Sequence, residues 1–272
     1  MKLAFTTLAC PGWTLEQALD AALRYGYEGI ELRLLDGELL TPDLSADQRM
    51  RVLGACRSAG LPICCLDTSV RLAQPVRADR AAQVHDGIAF LELAAMWGAP
   101  CIRVFGGPPA GVGDDEAIEA ATECLRPLAE RGAELGVAVA LETHDAFAAG
   151  ASVARVLDQV PGPGAGALWD ILHPNRVGEP VERTLELIGA RLLHVHIKDG
   201  HRPPDGGPNW PLALLGEGDV PTASILRAMR GAGYDGWISV EWEKKWHPQI
   251  PEPEVALPQH ADKLREYLAA MG

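Results

Sequence analysis

The amino-acid sequence predicts an α/β protein built as a single-domain (β/α)8 TIM barrel over residues 1–272, and three observations predict it. The length of 272 residues is close to the roughly 250 that such a barrel takes. Short runs rich in Val, Ile and Leu alternate with longer stretches of helical periodicity, the pattern of βα units around a parallel sheet. Eight such units follow one another along the whole chain, which argues against an internal linker.

In order, the first strand covers 2–8, and Thr14 then stands where an N-cap belongs, before Leu15-Glu16-Gln17-Ala18. Gly26 ends that helix and the second strand takes 29–33. Ser45 precedes Ala46-Asp47-Gln48 as the next cap, Gly60 closes the helix, and the third strand covers 61–67. Gly98 leads into the fourth strand at 101–106 and Gly136 into the fifth at 137–142. The sixth and seventh strands are 166–170 and 192–198. Thr222, before Ala223-Ser224-Ile225, is expected to cap the helix that passes Gly233 into the eighth strand at 237–242.

Proline and glycine concentrate at 200–221 and 247–258, each after a predicted strand, so both stretches are expected to be βα loops on the catalytic face. Gly106-Gly107-Pro108-Pro109 reads as a loop after the fourth strand, too rich in proline to cradle phosphate with backbone N–H groups. An open doubly wound sheet is the architectural competitor, but no GxGxxG follows the first strand and no GxxxxGK[ST] occurs.

Apolar residues make up 47% and charged residues 22% of the chain, which is ample for a core. A net charge of −13 opposes binding to a polyanion, so nucleic acid is not an expected partner. Six cysteines without CxxC spacing read as reduced core thiols. The N-terminal residues enter a strand without the apolar region of a signal peptide, and no run is long enough to span a membrane. A cytoplasmic protein with no membrane partner is expected.

The last four predicted strands each end in a residue able to bind a metal: Glu142, Asp170, His196 and Glu241. Charged groups rarely sit inside apolar strands unless paired or ligated, so four at equivalent strand ends point to a shared cation. Three carboxylates and one imidazole suit Mn2+ or Mg2+, with Co2+ or Zn2+ as further candidates. Strand alternation puts His144 beside Glu142, His194 and Lys198 beside His196, and Glu243 beside Glu241. His144 and His194 read equally as packed histidines that support the ligands. His173, three residues past Asp170, is expected in a loop, within reach of a substrate hydroxyl. Glu31, Arg33 and Arg103 lie on earlier strands; Glu31 and Arg103 either contact substrate or form a buried ion pair. Trp13, Trp210, Trp242 and Trp246 offer faces on which a sugar ring could stack.

Four segments carry a resemblance: Gly26-Tyr27-Glu28-Gly29-Ile30-Glu31-Leu32-Arg33, His194-Val195-His196-Ile197-Lys198-Asp199, Leu215-Gly216-Glu217-Gly218-Asp219-Val220 and Ile238-Ser239-Val240-Glu241-Trp242. Over its full length the chain resembles the xylose isomerase-like TIM-barrel superfamily of sugar phosphate isomerases and epimerases. The resemblance implies that Glu142, Asp170, His196 and Glu241 are the metal ligands, and that His173, in Asp170-Ile171-Leu172-His173, contacts substrate. It implies the same for Arg202, six residues after the metal histidine, with Lys198 and His201 competing for that role. Endonuclease IV, of the same superfamily, needs more zinc ligands than can be placed.

The expected chemistry is isomerisation or epimerisation of a sugar or sugar phosphate. Protons move at a carbon beside a carbonyl, with the cation stabilising the enediolate and Glu142 and Glu241 acting as base and acid. Elimination from a keto-sugar or inosose by a dehydratase or lyase is the alternative, followed by a non-catalytic barrel that needs a partner subunit. The expected partner is a small sugar-like molecule; homo-oligomeric assembly is left open.

Overall fold

A computed structural model describes residues 1–107 and 115–271. Its eight parallel strands close on themselves: β1 (Lys2–Thr6), β2 (Gly29–Leu32), β3 (Ile63–Arg71), β4 (Cys101–Phe105), β5 (Ala138–Glu142), β6 (Ala165–Asp170), β7 (Leu192–Ile197) and β8 (Trp237–Val240). Each pairs with its neighbours in sequence, and Lys2 of β1 meets Trp237 of β8 to shut the barrel. Around it run α1 (Leu15–Tyr25), α2 (Ala46–Ala59), α3 (Arg77–Trp97), α4 (Asp115–Leu135), α5 (Gly150–Leu157), α6 (Leu172–Arg176), α7 (Val181–Ile188), α8 (Thr222–Gly231) and α9 (Pro253–Ala269).

Local chemistry explains where α1 and α2 begin. The Thr14 hydroxyl accepts from the Gln17 N–H while the Gln17 side chain accepts from the Thr14 N–H, and Ser45 does the same with Gln48. Each box satisfies two donors that a helix start leaves unpaired. Along α1, Leu15, Ala18, Leu19 and Ala22 recur at helical spacing and are all buried, whereas Glu16, Gln17 and Asp20 face water. Burying one leucine is worth roughly 1.5–3 kcal/mol and a cap about 1 kcal/mol, so the apolar stripe dominates and the cap sets the register. Gly26 ends α1 at φ 73, a left-handed turn that glycine takes without strain.

Inside the barrel, Cys65, Cys101, Ala140 and Leu168 from β3 to β6 pack as one small cluster. Alternation then points Glu142 and Asp170, each two residues further along its strand, into the same interior.

Several boundaries differ from the sequence expectation. β1 stops at Thr6 because Thr7–Ala9 turn as a 3-10 segment, with the Thr7 hydroxyl donating to Leu34 O and accepting from the Arg33 and Leu34 N–H groups. β3 runs on to Arg71. β7 and β8 end at Ile197 and Val240, so Lys198 and Glu241 follow their strands instead of closing them. Thr222 is not a cap: it is the first residue of α8, and the Pro221 carbonyl accepts from Ser224 and Ile225. The stretch 247–258 is helical from Pro253, since a proline in the first turn gives up no intrahelical donor. Gly106 and Gly107 follow β4 as a loop, while Pro108 and Pro109 lie outside the described residues.

All six cysteines are free and buried. No helix among the described residues is long and apolar enough to cross a membrane.

Candidate functional site

Glu142 and Asp170 are the last residues of β5 and β6, His196 lies in β7, and Glu241 directly follows β8. The Glu241 N–H still donates to Ile197 O at 3.0 Å, which holds it level with the end of β7. One donor atom from each of the four lies within 4.8 Å of the others, and all four side chains are buried. Ligand atoms held roughly 2.0–2.6 Å from a divalent ion lie no more than about 4–5 Å apart, so the spread matches a single coordination sphere. Glu142 Oε2, Asp170 Oδ2 and Glu241 Oε2 are buried without an aligned hydrogen-bond donor. Three oxygens in that condition beside one imidazole nitrogen fit a divalent cation.

His196 is fixed from behind. Its Nε2 lies 3.0 Å from Glu31 Oε1, while Nδ1 faces Glu142 Oε1 at 3.1 Å and Glu241 Oε2 at 3.5 Å. The other Glu31 oxygen meets His194 Nε2 at 3.2 Å. Burial disfavours charge on His196, but Glu31, Glu241 and Glu142 outweigh it and hold its pKa well above the ordinary value. Burial raises the Asp170 carboxyl to about 6, with Glu241 and Glu142 adding to the rise against Lys198. Burial is the larger cause of that rise, and the neighbouring carboxylates add to it.

Lys198 supplies part of the compensation. Its ammonium lies 2.9 Å from Asp170 Oδ2 and 2.5 Å from Glu241 Oε2, and it bonds Glu243. His173 Nε2 is 3.4 Å from Asp170 Oδ2, and neither ring nitrogen has an aligned partner. Burial, with His144 and Lys198 adding, pushes the His173 pKa well below its usual value, so the ring is neutral. His144 stacks edge-on against His173 at 4.4 Å and lies 3.1 Å from Asp145, which Arg71 holds at 2.7 Å.

A family model described as a xylose isomerase-like TIM barrel matches residues 19–267. The chain belongs to this family. Fructoselysine 3-epimerase of Escherichia coli O157:H7 is 27% identical over 151 residues, 54% of this chain and 52% of that protein. The chain thus matches about half the length of that relative. Among solved structures, the IOLI protein with a binding zinc atom superposes with TM-score 0.83 at 18% identity, covering 100% of this chain and 99% of that one. A D-tagatose 3-epimerase-like protein gives 0.79 at 19% identity, with 100% and 98% covered.

Within this family member, the earlier strands form a polar floor beneath the quartet. Glu31 does not pair with Arg103; it is committed to the two histidines of β7, whose ring nitrogens reach it across the barrel. Arg103 lies between Asp67 and Glu142, 3.4 Å from each, with its guanidinium 4.0 Å from the Phe105 ring centroid. Both residues are buried below the quartet. Arg33 is engaged by Asp67 O and Ser69 Oγ. Asp67 was not singled out from the sequence, although a lone carboxylate inside Ile63-Cys64-Cys65-Leu66-Asp67 is the same signal that marked the quartet. Burial, with Glu31 adding, lifts its pKa to about 8 against the pull of Arg103.

The structure does not bring Arg202 to the quartet. Its side chain is exposed, and its backbone N–H donates to Asp219. Lys198 instead occupies the cavity, and His201 is exposed beside Asp219. His173 sits on α6, not in an irregular loop. Asp199, also not singled out, accepts from the N–H groups of Gly200, Gly216, Gly218 and Val220, tying the 212–220 segment to the end of β7. Trp242 is buried and donates to Pro251 O, Trp246 is largely exposed, and Trp210 is half-buried beside His173 and Lys198.

Proposed function

We propose that the chain is a divalent-metal-dependent isomerase or epimerase of a small keto-sugar, acting by proton transfer at a carbon beside a carbonyl. The observation that carries this is the convergence of Glu142, Asp170, His196 and Glu241 at the ends of four consecutive strands. Catalytic groups of TIM barrels gather at that face. The likeness to a fructoselysine 3-epimerase supports the reading.

When bound, a divalent cation, Mn2+ or Mg2+ by the oxygen-rich donor set, supplies Lewis-acid polarisation of a carbonyl. The chain's own groups do the rest. Burial raises the Glu142 and Glu241 carboxyls, but Arg103 and His144 for the first, and Lys198 and His196 for the second, keep both below the usual range. Both are therefore ionised at neutral pH, so one can take the carbon-bound proton and the other, once protonated, can return one. Neutral His173 donates to a substrate hydroxyl. The buried walls exclude water, which protects a carbanionic substrate from random protonation.

Lys198 favours a second reading, elimination. A protonated amine among these carboxylates is placed to give its proton to a departing β-hydroxyl, so that the C–H and C–O bonds both break and water leaves.

Incubation of the Mn2+-loaded protein with a panel of ketoses in D2O tests both. One deuterium in recovered ketose, absent after chelator treatment, is the result expected. Loss of water or of a substituent would assign elimination, and an absence of exchange and of product across the panel would overturn both readings.

A further inference from the structure

Beside the quartet lies a cavity of about 350 Å3, walled by α6, the 209–212 segment and the 243–249 segment. Small-molecule sites begin at roughly 300 Å3. His173, Lys198 and Glu243 line its inner end, so it opens directly from the site. None of the four quartet residues lines it. It therefore has room for something attached to the reacting group and not for the reacting carbon itself.

Its walls are built, not incidental. Asp199–Gly200 pairs antiparallel with Leu212–Ala213, and the His201 N–H donates to Pro211 O at 2.9 Å, which fixes the segment carrying Asn209 and Trp210. A Cβ on Gly200 would lie 3.0 Å from Pro211 O, 3.2 Å from Leu172 Cδ1 and 3.4 Å from Trp210 Cβ, so the glycine lets this wall close on α6. Trp210 is half-buried against the cavity. The side chains of Arg176, Asn209 and Gln249 line it too, without a hydrogen bond or ion pair to another described residue.

An indole face with unengaged guanidinium and amide groups around it matches the alternation of C–H faces and hydroxyl edges on a sugar ring. Charge argues against a phosphate there: Glu243 lies between Lys198 and His247, 3.2 Å from the latter, which leaves Arg176 as the one lining cation without a carboxylate. We infer that this cavity is a subsite for a second, hydroxyl-bearing ring, and that the substrate is a keto-sugar carrying that ring in glycosidic linkage. The inference rests on the keto-sugar reading above.

Saturation-transfer NMR with the Mg2+-loaded full chain tests it, using D-fructose against the keto-disaccharides lactulose, isomaltulose and turanose. At least one disaccharide is expected to bind tenfold or more tighter than fructose, with saturation reaching its aldose ring. In Trp210→Ala and in Arg176→Ala the ratio of the two affinities falls toward one; the arginine, half-buried at the rim, keeps the test intact should the tryptophan variant unfold. Equal affinity for fructose and every disaccharide, equal weakening of both classes in the variants, or binding of none of the four sugars would overturn the subsite. Because binding is read without turnover, ring binding with no deuterium exchange would refute the catalytic reading alone, and exchange into fructose without ring preference would refute the subsite alone.

Discussion

Glu31 Oε1 lies 3.0 Å from His196 Nε2, on the side of the imidazole opposite the nitrogen that faces Glu142 and Glu241. A carboxylate there accepts a hydrogen bond from Nε2–H, so that a cation displacing the Nδ1 proton would meet a lone pair aimed at the quartet, the arrangement that orients metal-binding histidines. Replacing Glu31 by Gln keeps the shape and removes the charge. The expected result is a 10- to 100-fold loss of Mn2+ affinity by chelator competition, the cost typical of losing such a partner. Unchanged affinity would mean that Glu31 serves the floor of the barrel and not the ligand.

A cage of buried carboxylates is a liability until a cation neutralises it. Binding at about 100 times Kd stabilises a folded state by about 2.7 kcal/mol, which for a chain of this length is roughly 5–10 °C in Tm. Scanning fluorimetry with added Mn2+ should show that rise, EDTA should reverse it, and Asp170→Ala should abolish it. An equal rise in the variant would place the cation elsewhere.

The quartet was legible because each of its residues interrupts an apolar strand, a pattern that needs only periodicity and the high cost of burying charge. Asp67 interrupts its apolar strand in the same way, but its pairing with Arg103 depends on the register of β3 against β4. Glu31 was visible but its role was not: pairing with His194 and His196 spans 163 and 165 residues of chain and depends on barrel closure. The family resemblance pointed to Arg202, with Lys198 and His201 competing, but the turn of Asp199–Gly200 into a hairpin sends the chain away from the quartet and leaves Lys198 as the cation beside it.

That difference can be measured. Lys198 touches Asp170, Glu241 and Glu243 with a buried ammonium, whereas Arg202 is exposed. Lys198→Met should lower kcat/KM by two orders of magnitude or more on any substrate found, since a positioned proton donor contributes roughly 10²–10⁴-fold to the rate. Arg202→Ala should stay within a few-fold. The reverse ranking would restore Arg202 as the substrate contact.

The six buried thiols should be silent in the native state. Burial raises the pKa of Cys56 and Cys124 to about 11 and those of Cys10, Cys64 and Cys65 further, and only a thiolate attacks a disulfide reagent. Less than one equivalent should react before unfolding and six after it, read by absorbance of the released thiol.

His260 gives the fold a dependence on pH that is separate from the site. It packs on Trp242 with ring centroids 5.3 Å apart, and its Nδ1 donates to Ala256 O at 2.7 Å. Burial lowers its pKa from 6.5 to about 4, the carbonyl acting weakly against that. Between those values the unfolded chain binds the proton and the folded one does not, so stability rises with pH. The contribution is complete above about 6.5 and is lost as pH falls toward 4, amounting to about 3 kcal/mol. His260→Phe keeps a ring against Trp242 and removes the titration. Urea unfolding at pH 7.5 and 4.5 should show the parent losing about 2–3 kcal/mol more than the variant, because the other titrating groups contribute alike to both. Parallel losses would show that His260 is charged in the native fold.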